Sequence, residues 1–248
     1  MKVFAIIPAR YNSSRFPGKA LAEIDGTSIV VRTAKSAQKC SLIDEVWVAT
    51  DDTRIKVNCK DNNINVIMTS KSHKTGTDRL AEAASILCKD NSDACFINVQ
   101  GDEPFIEPEV IDKVAKSILD GNRVVSAMSE IHSKEDLNSL NVTKVVCDKE
   151  NYALMISRSV IPFAKQGCET PVRYRQLGVF GFHKLELFQF SNLSQGPAEK
   201  AESIEFLRFL ESKIPVKMVC VKTNSIAIDV PDDLQKAIHI HSAQRKNK

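Results

Sequence analysis

The sequence lacks the signatures that most often mark a nucleotide site or a catalytic nucleophile. No G-x-G-x-x-G follows the first apolar run, which argues against a dinucleotide-binding oxidoreductase. No G-x-x-x-x-G-K-[ST] occurs either: Lys19 follows Gly18, but Ala20 stands where the Mg²⁺-binding hydroxyl would be. A G-x-S-x-G elbow is also missing, so serine-hydrolase chemistry has no nucleophile. The seven cysteines form no C-x-x-C and the histidines do not cluster, which points to reduced thiols rather than disulfides or structural zinc. A formal net charge of +3 is too small to argue for nucleic acid or a membrane surface as partner. No stretch approaches the roughly 18 apolar residues of a spanning helix. The apolar run near the N-terminus is too short for the core of a signal peptide, so a cytoplasmic protein is expected. Repeats, low-complexity runs and linkers are missing too.

What is present is ordinary globular chemistry: 248 residues, 43% hydrophobic and 26% charged, enough for a sizeable core. We read residues 1–248 as one domain, with an approximate excursion over 123–215. In the first half, apolar runs at 3–7, 45–49, 65–68 and 94–99 read as strands. They alternate with amphipathic segments at 29–40, 54–60, 77–87 and 109–119. This alternation predicts βαβ units and a mostly parallel α/β sheet, with all strand carboxyl ends on one rim. The second half predicts longer strands at 123–131, 143–147, 152–156 and 173–182, hence a smaller β-rich excursion. A single acidic helix is expected over 198–210, strands over 216–221 and 226–228, and a proline-initiated helix over 231–241.

Polar clusters follow the strands. Arg10, Arg15 and Lys19, with Ser13 and Ser14, make a donor-rich basic loop after the first strand, where open α/β sheets bind ligands. Such a loop suits a polyphosphate and equally reads as solvated surface. Thr75-Gly76-Thr77-Asp78-Arg79 enters a helix, whose free N–H groups favour anions; a plain N-cap is the alternative. Gln100-Gly101-Asp102-Glu103 places carboxylates at the same rim, either capping the next helix or holding Mg²⁺ against a substrate phosphate. Asp229, ahead of Pro231, repeats the choice between cap and metal ligand. Two acids brought separately to one rim, facing three cations, describe a metal–phosphate site.

In order along nearly the whole chain stand Pro8-Ala9-Arg10, Ala49-Thr50-Asp51-Asp52, Thr75-Gly76-Thr77-Asp78-Arg79, Asn98-Val99-Gln100-Gly101-Asp102-Glu103-Pro104, Ser157-Arg158-Ser159-x-Ile161-Pro162, Leu177-Gly178-x-x-Gly181 and Asp229-x-Pro231-x-Asp233-Leu234. On these segments the chain resembles the 3-deoxy-manno-octulosonate (KDO) cytidylyltransferases, also called CMP-KDO synthetases. The resemblance implies a Rossmann-like nucleotidyltransferase fold, a homodimer, and CTP and an acidic eight-carbon sugar as substrates, for lipopolysaccharide biosynthesis. It implies nucleotide contacts from Ala9, Arg10, Ser13, Ser14, Arg15, Lys19, Thr75, Gly76, Thr77, Asp78, Arg79 and Gln100. Sugar contacts would come from Gln100, Arg158, Gln176, Phe180 and Glu205, and Mg²⁺ ligands from Asp102 and Asp229. Arg10, Lys19 and Asp102 would carry the catalysis. The family's usual His-Leu-Gly-Ile-Tyr-Gly-Tyr reads Gln176-Leu177-Gly178-Val179-Phe180-Gly181-Phe182 here, which replaces two polar groups in the sugar pocket. That leaves related acidic sugars open as acceptors, 8-amino-KDO or a nonulosonic acid, beside a catalytically inactive nucleotide-binding module.

Overall fold

A computed structural model describes residues 1–13, 15–73, 75–88 and 93–246, with backbone only over 240–246. Ser14, one of the expected nucleotide contacts, lies outside the described residues. The strands are β1 (Lys2–Ala9), β2 (Glu23–Ile24), β3 (Thr27–Ser28), β4 (Glu45–Thr50), β5 (Asn65–Met68), β6 (Ala94–Val99), β7 (Val124–Glu130), β8 (Lys144–Cys147), β9 (Ala153–Ser157), β10 (Tyr174–His183) and β11 (Lys217–Cys220). The helices are α1 (Ile29–Ala37), α2 (Thr53–Asp61), α3 (Gly76–Leu87), α4 (Pro108–Leu119), α5 (Lys134–Asn138), α6 (Lys184–Asn192), α7 (Pro197–Glu202), α8 (Leu207–Glu211) and α9 (Pro231–Lys246).

The main sheet runs β11-β7-β10-β6-β1-β4-β5, with β8 and β9 attached through β10. Every pair along that path is parallel except those made by β10, which runs antiparallel to both β6 and β7. The expected parallel α/β sheet is therefore present. The β-rich excursion is hydrogen-bonded into the sheet, with β8 pairing antiparallel to β10 and β9. β1 shows why its residues form a central strand. Val3, Ala5, Ile7 and Ala9 pack in one core with α1, α2 and α4, and Phe4 and Ile6 pack in the other with α3, α6 and α8. A strand covered on both faces has no need of polar alternation.

Three expectations are corrected. The helix expected over 198–210 is broken into α7 and α8 by Ser203, whose φ of 53° is left-handed. The break frees the Glu202 and Glu205 carboxylates to bind elsewhere, as described below. Residues 226–228 form no strand; the segment lies beside the sheet as an arm, and the Ile228 N–H donates to the Asp102 carbonyl at 2.9 Å. Finally, α6 forms where no helix was expected, burying Leu187 and Phe190 against the sheet.

The cysteines are all free. Burial pushes the Cys40 and Cys95 thiols up to about 12, and those of Cys59 and Cys147 up to about 11. Only Cys168 and Cys220 are exposed, so a thiol reagent at neutral pH is expected to modify these two quickly, half-buried Cys147 slowly and the four buried thiols only on unfolding. Rapid modification of more than two thiols in the native protein would contradict the packing.

Candidate active site

The parallel strands β1, β4, β5 and β6 end at one rim, and β10 returns past it in the opposite sense. A β-bulge interrupts the pairing of β10 with β7 between Gln176 and Phe180. Beside it, the Gly178 carbonyl accepts from the Gln100 N–H at 2.8 Å. A Cβ on Gly178 would approach the Gln100 side chain to 2.8 Å, so glycine is required for this contact. A cleft of about 460 Å³ opens over the rim. Ala9, Arg10, Ser13, Arg15, Lys19, Thr75, Gly76, Arg79 and Gln100 line it, as do Arg158, Gln176, Phe180, Glu205, Asp102 and Asp229.

At its centre, Lys19 Nζ stands 2.7 Å from Asp102 Oδ2 and 3.5 Å from Asp229 Oδ1. Arg15 reaches the same Asp229 oxygen at 3.1 Å and the Asn141 side-chain oxygen at 3.1 Å. Lys19 is delivered by a left-handed Gly18 (φ 75°), whose N–H closes the loop onto the Tyr11 carbonyl at 2.9 Å. The other aspartate oxygen, Asp102 Oδ1, is buried and has no hydrogen-bond partner among the described residues. Two carboxylates converging with one orphaned oxygen, while an ammonium holds their charge, fit a divalent cation such as Mg²⁺. Close approach of the β1 and β6 ends depends on Gly101, where a Cβ would lie 2.9 Å from the Pro8 carbonyl oxygen. Gly101→Ala is expected to cost roughly 1–3 kcal/mol of stability through overpacking. It should also depress turnover, because Asp102 moves with the loop. An unchanged melting temperature and turnover would refute this contact.

In the loop before α3, two of the residues implied as nucleotide contacts are engaged within the protein. Thr75 caps the helix, accepting from the Asp78 N–H at 3.1 Å and donating to Asp78 Oδ2 at 2.7 Å. Asp78 is bonded to this cap and Thr77 is buried; neither lines the cleft. Arg79 is buried and holds the Thr69 hydroxyl at 2.6 Å, with Asp51 at 3.5 Å.

At the far end of the cleft, the Glu205 carboxylate accepts from the Gly76 N–H at 3.2 Å and the Thr77 N–H at 3.1 Å. It satisfies the free amides of α3, the site that sequence offered to an anion. Burial pushes its carboxyl above the usual carboxylate range, against those two amides. The folded state thus binds the Glu205 proton more tightly than the unfolded chain, and this contribution to stability fades as pH rises through that window. The melting temperature of Glu205→Gln minus that of the wild type is therefore expected to increase as pH rises above the ordinary carboxylate range, about pH 4. A pH-independent difference would contradict this.

Arg158 is held by backbone carbonyls: Nε donates to Glu202 at 2.7 Å, Nη1 to Leu140 at 2.7 Å, and Nη2 to Ser203 at 3.5 Å. Gln176 donates to the Ser126 hydroxyl at 3.0 Å, and Phe180 packs on Phe206 with ring centres 4.4 Å apart. Sequence reasoning missed Arg175, Asn141 and Ser225 on the cleft wall. Arg175 adjoins Gln176 in the sequence, and nothing local distinguishes it; the other two lie in irregular segments.

A parallel sheet whose rim joins a basic loop to two convergent aspartates defines a nucleotidyltransferase. The family model for cytidylyltransferases matches residues 4–219, and the chain belongs to that family. Similar chains include a 3-deoxy-manno-octulosonate cytidylyltransferase of Geotalea uraniireducens, 40% identical over 96% of this chain and 98% of the relative. Another of the same description, from Geobacter metallireducens, is 41% identical over 96% of this chain and 97% of its own. Among solved structures, a CMP:2-keto-3-deoxy-manno-octonic acid synthetase complexed with CTP superposes with a TM-score of 0.90 at 32% identity. That match covers 98% of this chain and 100% of the other. Among the described residues, no helix is long and apolar enough to cross a membrane.

Proposed function

We propose that this protein activates KDO with CTP, forming CMP-KDO and pyrophosphate for lipopolysaccharide biosynthesis. The observation that carries the reading is the meeting of Asp102 and Asp229 on Lys19 inside a cleft lined by Arg10 and Arg15. The similarity to KDO cytidylyltransferases over 96% of the chain supports the substrate pair.

In this reading, the sugar's anomeric hydroxyl attacks the α-phosphorus of CTP. A new P–O bond forms as the bond to pyrophosphate breaks, and the hydroxyl proton passes to solvent. Arg10, Arg15 and Lys19 bind and orient the triphosphate, and Ala9, Ser13, Thr75, Gly76, Arg79 and Gln100 bound the nucleotide. Asp102 and Asp229 would hold Mg²⁺, which would supply neutralisation of charge on the phosphates and the leaving pyrophosphate. Lys19, placed between the two aspartates, lies in the cleft where its ammonium can also meet the triphosphate. No protein nucleophile is needed; positioning and electrostatic complementarity supply the rate. Arg158 takes the sugar carboxylate through Nη2, the nitrogen with the longest protein contact.

The sugar end favours a second reading beside the first. With Gln176 held by Ser126 and a phenyl ring at Phe180, hydroxyl recognition departs from the family's usual pattern. A pyrophosphate-release panel crossing CTP, UTP, ATP and GTP with KDO, 8-amino-KDO and a sialic acid tests both. Turnover with CTP and KDO is the expected result. Turnover only with 8-amino-KDO or the sialic acid transfers the assignment to that sugar. CTP binding without release from any pair would leave a nucleotide-binding module. The same proposal includes a cytoplasmic homodimer, with segment 123–215 supplying sugar contacts and the dimer surface. Exposed Phe163 (86%) and Leu154 (63%) in that segment support such a surface.

A further inference from the structure

Asp229 sits on an arm with no regular secondary structure, so something other than a sheet ladder must set its distance from Asp102. Four of the arm's hydrogen bonds run to residues 102–107, and the Asp229 and Val230 N–H groups donate to the Asp233 carboxylate at 2.9 and 3.0 Å. Thr223 donates to Glu107, and the Asn224 N–H reaches Glu107 at 3.2 Å. The Ser225 hydroxyl donates to Glu103 Oε2 at 2.6 Å, and the Ile228 N–H to the Asp102 carbonyl at 2.9 Å. The other Glu103 oxygen accepts the Gly178 N–H at 3.3 Å, an amide released from β-pairing by the bulge in β10. Arg175 donates to the Ser225 carbonyl at 3.2 Å and to the Ser129 hydroxyl at 3.0 Å. Glu103 and Ser225 are 4% and 2% exposed, so water does not compete for these bonds.

One buried carboxylate therefore joins three segments: the loop that carries Asp102, the bulge beside Gln100, and the arm that carries Asp229. We infer that Glu103 is a positioning residue, which fixes the Asp229 arm against the Asp102 loop and so sets the spacing of the two proposed metal ligands. A helix cap, the role considered for it from sequence, does not describe it: the nitrogen and oxygen it holds belong to Gly178 and Ser225, 75 and 122 residues away. The inference rests on Asp102 and Asp229 being metal ligands. Its structural half, that Glu103 holds the arm, stands apart from that reading.

Glu103→Ala, Glu103→Gln and Ser225→Ala test it in the full-length protein. Ser225→Ala removes one bond with little volume change and covers the case in which Glu103→Ala does not fold. Two quantities are read: amide hydrogen exchange over residues 223–230 without ligand, and Mn²⁺ binding in the presence of CTP by electron paramagnetic resonance. The expected result is faster exchange over that arm and Mn²⁺ binding weakened about 10–100-fold, the scale seen when the partners of metal ligands are removed. Glu103→Gln, which keeps an acceptor and a similar shape, should recover most of both losses. Unchanged exchange and unchanged Mn²⁺ affinity in folded Glu103→Ala or Ser225→Ala would overturn the inference. So would faster exchange with full Mn²⁺ affinity, because the arm's position would then not matter to the metal. If the wild type with CTP binds no Mn²⁺, the metal reading fails and the spacing role falls with it, while exchange still decides whether Glu103 holds the arm.

Discussion

Asp102→Asn is expected to lower turnover by at least about 10²-fold, the scale of losing a major electrostatic stabiliser. Its carboxylate has one oxygen on Lys19 and one buried oxygen with no partner among the described residues. The amide keeps the shape but removes the charge, and it places an N–H₂ where either the ammonium or a cation must be bound. The loss should grow at low Mg²⁺, because the variant gives up a ligand as well as a charge. Asp229→Asn should behave alike, with a further loss of the Arg15 contact at 3.1 Å. Steady-state pyrophosphate release across a Mg²⁺ titration measures both. Near-normal turnover in either variant at saturating Mg²⁺ would remove that aspartate from the site.

Lys19→Met is expected to lower turnover by about 10²–10³-fold, with an opposite dependence on metal. Lys19 neutralises Asp102 and Asp229 before the substrate arrives and competes with any cation they bind. Removing the ammonium leaves the two carboxylates facing each other, which should tighten divalent-cation binding while the triphosphate loses a charged donor. The Mg²⁺ concentration for half-maximal rate should therefore fall or stay level in Lys19→Met, and rise in Asp102→Asn. A raised Mg²⁺ requirement in Lys19→Met would mean that the lysine builds the cation site rather than occupying it.

Much of this arrangement could be read from sequence. The strand limits 65–68 and 94–99 coincide with β5 and β6, because short, mostly apolar runs bounded by polar turns leave little freedom in placement. The basic loop, Gln100 and Asp102 meet in one cleft because parallel strands deliver their carboxyl ends to one rim, and the irregular arm brings Asp229 to the same cleft. Where the structure departs from the reading, side chains are committed to partners elsewhere. The 198–210 segment has helical spacing, yet Glu202 binds the Arg158 N–H at 2.7 Å and Glu205 caps α3, which a continuous helix would not allow. Residues 226–228 look like a strand, but their neighbours bond to the Glu103 and Glu107 side chains instead of to a strand partner. Thr77 and Asp78 sit within a motif that points at nucleotide, while the helix uses them for packing and capping. Glu205 and the 224–225 stretch meet partners more than 100 residues away and Glu202 meets one 44 residues away, which no local pattern encodes.

The most direct test of the account is the ³¹P spectrum of the protein with CTP, KDO and Mg²⁺. We expect the CTP signals to be replaced by one phosphodiester and by pyrophosphate in equal amounts, with no free inorganic phosphate. Attack at the γ-phosphorus would instead leave CDP. Either CDP or an unchanged CTP spectrum in the presence of KDO would contradict nucleotidyl transfer to this sugar at the Asp102–Asp229 cleft.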